Sequence, residues 1–160
     1  MRVRLLPVAA AVLFLAGAAY YASAVDRSAL RRPGCDAAYA NRAEVEKSYA
    51  DVLPLLDGGR RDEAVMALRR RAERGPFEGA AHYLLGEAAY AERAYGASMR
   101  AYRKALETEP SLGDRDAPFD AGRTMLARAE ALRKGPWAGN AAPEAAHMNF
   151  LIRRLSGGCK

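Results

Sequence analysis

The stretch Gly79–Leu112, GAAHYLLGEAAYAERAYGASMRAYRKALETEPSL, constrains this chain more than any other. Apolar residues recur there at helical spacing in two blocks, 79–91 and 93–108, separated by almost nothing. The pattern predicts two short amphipathic helices. Pro110 lacks an N–H and cannot continue a helix, so it ends the second one.

Within the stretch, His82-x-x-Leu85-Gly86 precedes Ala89-Tyr90, and Ser98-x-x-x-Tyr102 precedes Ala105 and Pro110. This order resembles a tetratricopeptide repeat: a large residue, Leu-Gly, an aromatic, a small residue, an aromatic and a closing Pro. Gly86 and Ser98 are small where two antiparallel helices would cross closely, and Leu85 and Tyr102 would fill the seam. His82 stands where the family has Trp, Ala89 where an aromatic is usual, and Ser98 where Ala is usual.

A weaker copy lies upstream. Moving Ser98, Tyr102 and Pro110 back by 34 lands on Ala64, Leu68 and Pro76, which are small, large apolar and Pro in the same order. The helix before them has two registers. A shift of 34 pairs Tyr49 with Tyr83 but Asp51 with Leu85, whereas a shift of 33 pairs Tyr49, Val52 and Leu56 with His82, Leu85 and Ala89. Pro54 inside it predicts a kink or an early end. A lone repeat cannot bury its apolar side, so about three units are needed. The resemblance therefore implies an all-α fold: a TPR-like right-handed α-solenoid of about three helical hairpins. Its repeats would cover 45–78 and 79–112, and a diverged or capping hairpin would cover 116–156.

The chain in order supports this division. Residues 5–25 carry no charge, and 25 − 5 + 1 = 21 of them suffice to span a bilayer as a helix. Tyr20 and Tyr21 would suit an interfacial belt. Ala22-Ser23-Ala24 equally fits a signal-peptide cleavage site. Segment 1–25 is thus a membrane anchor or a signal peptide, 26–36 a linker, 37–156 the helical domain and 157–160 a loose tail. Arg2 and Arg4 favour a cytoplasmic amino terminus, although Arg27, Arg31 and Arg32 oppose it. The Ala-rich leader with high Arg use suggests a bacterium. The expected location is the inner membrane, single-pass, with the domain in the periplasm; the alternative is secretion to the periplasm after cleavage near Ala24.

Helices are expected at 38–56, 61–74, 79–91 and 93–108. A fifth would be capped by Asp116, with Pro118 in its first turn and Phe119, Gly122, Leu126, Ala129 and Leu132 on its apolar side. A last helix after Pro143 would bury Met148, Leu151, Ile152 and Leu155. Trp137, in a Gly/Pro loop, is placed to plug the end of the stack.

Little in the sequence carries reaction chemistry. Net charge is +6, but Arg alternates with Glu and Asp along the helices, as solvated faces do, and no basic cluster interleaved with aromatics points to nucleic acid. Cys35 and Cys159 are the two cysteines; joined, they would close a loop of 159 − 35 = 124 residues, worth about 4–5 kcal/mol in the chain-entropy model. They could equally be two thiols on loose ends. His82 and His147 are too few for a metal site without more ligands, so neither metal nor cofactor is expected. The sequence offers no triad spacing, phosphate loop or H-E-x-x-H, and an enzyme is disfavoured.

In the family that the stretch resembles, the first helix of each pair lines a concave groove that holds extended peptides. The resemblance assigns Tyr83, Glu87, Tyr90 and Ala91 to that groove, with Tyr49 added by the 34-residue register. The Lys and Asn set that clamps a C-terminal carboxylate in chaperone-binding members is missing. The expectation is a membrane-tethered protein-interaction module of the bacterial envelope, holding a partner polypeptide of unknown identity. A structural subunit that oligomerises through its convex or end surfaces is the alternative.

Overall fold

The computed structural model describes residues 41–140 and 144–157. The leader, the linker, Cys35 and Cys159 lie outside the described residues. Those described are all-helical, with no strand among them. The α-helices are α1 (Arg42–Ser48), α2 (Leu53–Asp57), α3 (Arg61–Arg74), α4 (Glu78–Ala91), α5 (Tyr95–Thr108), α6 (Ala121–Lys134) and α7 (Ala145–Ser156). Short 3-10 turns at Pro110–Gly113, Pro118–Asp120 and Ala138–Asn140 link the later ones.

Helix α3 has the bounds its sequence predicts. Asp62 and Glu63 sit in the first turn, and Arg71 and Arg74 in the last, which suits the helix dipole. Gly75 then leaves the helix in extended geometry. An added Cβ there would lie 2.7 Å from the Arg71 carbonyl oxygen, so the stop needs a glycine.

Over its described part, residues 41–56, the single helix expected at 38–56 is two. Pro54 has no N–H to give back to Ala50, so the helical hydrogen-bond ladder cannot run through it. The chain turns at Tyr49–Val52 and restarts as α2 with Pro54 in the first turn. Helix α5 begins at Tyr95, not Arg93, because Arg93 takes a left-handed φ of 60°.

The entry to α6 also differs from expectation. Asp116 does not cap it, and Pro118 lies in a separate 3-10 turn. Phe119 and Asp120 are both left-handed, at φ 58° and 52°. Such geometry costs an ordinary residue about 1–2 kcal/mol. The Asp120 carboxylate makes no cap bond and pairs instead with Arg123 at 2.5 Å. Along α6, Met125 is buried where Leu126 was expected, and Leu126 is half-buried, while Gly122, Ala129 and Leu132 face the core as the spacing implies.

Helices α4 and α5 pack along their length. The three-residue link Glu92–Ala94 between them permits only an antiparallel pair. Their closest approach is at Gly86, whose missing side chain makes room for the Tyr102 ring: an ideal Cβ would sit 2.4 Å from Cδ1 and Cε1. Helix α3 packs on α4, α6 on α7, and α5 on α7. At a second close approach, Gly122 opens α6 against the Gly113 backbone, 2.9 Å from where its Cβ would be.

The core runs continuously through these helices. Its largest fully buried side chains include Tyr49, Tyr102, Leu68, Met99, Leu112 and Met125. In α7, Met148 and Leu151 are buried, with Ile152 and Leu155 half-buried beside them. Trp137 is half-buried against the same core.

Candidate concave cleft

A cleft of about 280 Å³ opens beside α4. Helix α4 contributes Tyr83, Leu84, Glu87, Ala88 and Ala91 to its wall. Opposite stand Leu53, Leu56 and Asp57 of α2, with Arg61 at the start of α3 and Phe119 from the turn before α6. The short α2 follows from the Pro54 break, so the same proline that splits the first helix shapes one side of the cleft.

Three of the five residues that the resemblance assigned to a groove, Tyr83, Glu87 and Ala91, line this cleft. Tyr49 is 1% exposed and lies in the core; its hydroxyl donates to the Phe77 carbonyl at 3.0 Å. Tyr90 is half-buried against Tyr95, with the Arg128 guanidinium over its ring at 4.4 Å. Of the signature residues, Gly86, Ser98, Tyr102, Ala105, Ala64 and Leu68 are buried. Leu84 is buried more completely than Leu85, which packs on the core from the half-buried side. His82 is half-buried, and burial followed by nearby Lys104 lowers its pKa. Pro76 and Pro110 are exposed at helix ends.

A polar network ties the cleft wall to its neighbours. The Tyr102 hydroxyl donates to Glu87, and Arg128 donates to the other Glu87 oxygen at 3.3 Å. One carboxylate thus joins α4, α5 and α6. Burial first, and then the Glu87 charge, push the Tyr102 hydroxyl well above the usual phenol range. The buried Ser98 hydroxyl lies beside that of Tyr102 and partly offsets this rise.

Aromatic rings continue the network. Tyr83 stacks on Tyr102 at 6.0 Å and on Phe119 at 6.2 Å. Phe119 in turn meets Tyr49 edge-on at 6.3 Å. Burial, with Glu87 next, pushes the Tyr83 hydroxyl up to about 12. Tyr49 is raised by burial too, against the opposing pull of Arg71, whose guanidinium lies 5.1 Å from its ring centre.

Sequence reasoning missed the α2 wall, Leu84, Ala88 and Phe119. Leu53, Leu56 and Asp57 became visible only once the helix was known to break before them. Phe119 carried a misleading signal, since its spacing matched the apolar side of α6. Comparison with family models, curated proteins and solved structures finds no match to this chain.

Proposed function

We propose that this chain is a protein-interaction module of the tetratricopeptide kind, tethered to or secreted across a bacterial inner membrane, which holds an extended segment of a partner polypeptide in the cleft beside α4. The observation that carries the reading is the cleft itself. Its walls set apolar side chains of α2 and α4 beside the charged Asp57, Glu87 and Arg61. Apolar surface combined with placed polar groups is what a binding cleft offers. The packing of the earlier helices agrees, since α3 meets α4 and α4 meets α5, as consecutive helices of nested hairpins would.

The test places a photoreactive benzophenone residue at Ala91, which is exposed in the cleft, or at Met66, which is 58% exposed on α3. Irradiation in the native host should give a discrete crosslinked polypeptide from Ala91 and none from Met66. Crosslinks from Met66 to a second copy, with silence at Ala91, would overturn the reading in favour of an assembly subunit.

A further inference from the structure

Phe119 comes from the turn that opens the third hairpin, yet its ring sits between residues of the first and second. Tyr83 stacks on one face at an interplanar angle of 11°, and Tyr49 meets it at 87°. The backbone of the same residue is also bound. Its N–H donates to Glu46 Oε1 at 3.4 Å, and its carbonyl accepts from the Tyr83 hydroxyl at 3.5 Å. Ring, N–H and C=O are therefore all met by residues of other helices, through long hydrogen bonds and ring contacts.

Resting on the reading of the cleft as a partner site, we propose that the slot between Tyr49 and Tyr83 is a seat for an aromatic residue of the partner polypeptide, filled in the free protein by the chain's own Phe119. Three observations carry this. The occupant of the slot meets one ring nearly parallel, Tyr83, and one edge-on, Tyr49, contacts that an aromatic side chain makes better than a branched aliphatic one. Phe119 and Tyr83 both line the cleft, so the Tyr83 side of the slot borders it, while Tyr49 closes the far side in the core. Phe119 and Asp120 hold left-handed backbone angles in the seated turn, and strain of this kind persists only where surroundings impose it. Release of the turn removes that strain and offsets part of the cost of vacating the slot. The seat is then a device for selectivity: only a partner residue that stacks at least as well as Phe119 takes its place.

The probe is N-acetyl-para-fluorophenylalaninamide, which carries the ring, the N–H and the C=O of one aromatic residue. Its binding to the full-length protein is followed by fluorine NMR. Occupation of the slot by Phe119 lowers the competent fraction, so Phe119→Ala should bind the probe at least about tenfold more tightly than the unchanged chain. N-acetylleucinamide, followed by its methyl proton shifts, should gain no such advantage. Equal probe affinity for the two proteins, or an equal gain for the leucine compound, overturns the proposal. Should Phe119→Ala lose its helical circular dichroism, Phe119→Leu keeps an apolar side chain at the position and is held to the same comparison. Crosslinking from Ala91 reports the underlying reading separately. Retained crosslinks with no gain at the slot refute the seat alone, and loss of both refutes both.

Discussion

Substituting Gly86 by Ala tests the packing on which the α4–α5 pair depends. The new Cβ would lie 2.4 Å from two atoms of the Tyr102 ring, where ordinary contact begins at 3.4 Å. The ring cannot swing aside freely. It is fully buried, stacked on Tyr83, and bonded through its hydroxyl to Glu87. Overpacking of this order costs about 3 kcal/mol, and the better helix propensity of Ala returns about 1 kcal/mol. The net loss of about 2 kcal/mol corresponds to a fall in Tm of roughly 10 °C for a domain near 100 residues. Gly96→Ala supplies the control. Its Cβ would meet the Glu144 carboxyl group at 2.8 Å, a mobile side-chain end that can move into solvent. That variant should stay within about 0.5 kcal/mol of the unchanged protein. Thermal and urea unfolding followed by circular dichroism measure both. A Gly86→Ala protein as stable as its parent, or a Gly96→Ala protein equally damaged, would refute the reasoning.

Four further outcomes are expected. Ser98→Ala removes a buried hydroxyl set beside that of Tyr102, and should change stability by no more than about 1 kcal/mol in urea unfolding. Tyr83 has a folded pKa raised from 10.0 to about 12. The stability this represents is fully present below pH 10 and lost as pH rises towards 12. Tyr83→Phe should therefore lose about 2–3 kcal/mol less than the parent across that window, read from urea midpoints at successive pH values; parallel curves would contradict it. Arg71→Ala removes two bonds to Asp51, one to the Ser48 carbonyl and a contact with the Tyr49 ring, and should cost about 1–2 kcal/mol. Arg42→Ala, which loses one exposed pair with Glu46, should cost under about 0.5 kcal/mol.

Local chemistry made much of the fold readable. Proline and glycine stops bounded α3 and ended α5, and the small residue at Gly86 marked a close crossing of α4 and α5, as the resemblance implied. Such signals act within one or two turns. What was not readable depended on contacts between distant elements. Leu84 and Leu85 are adjacent and equally apolar, so spacing alone could not say which one turns inward. Tyr90 was assigned to the groove by the resemblance, but it packs against Tyr95 and under the guanidinium of Arg128 from the distant α6. The left-handed pair at Phe119 and Asp120 has no glycine or asparagine to announce it; only the slot offered by Tyr49, Glu46 and Tyr83 accounts for it.

Phe119 also changes how the domain comes apart. Arrays whose units touch only the next in line lose structure from their ends, one unit at a time. Here the segment before α6 clasps α1 through Tyr49 and Glu46. A ring is closed between early and late parts of the chain, so deleting the C-terminal helices would loosen the N-terminal ones. Protection against hydrogen exchange should then rise and fall together at both ends.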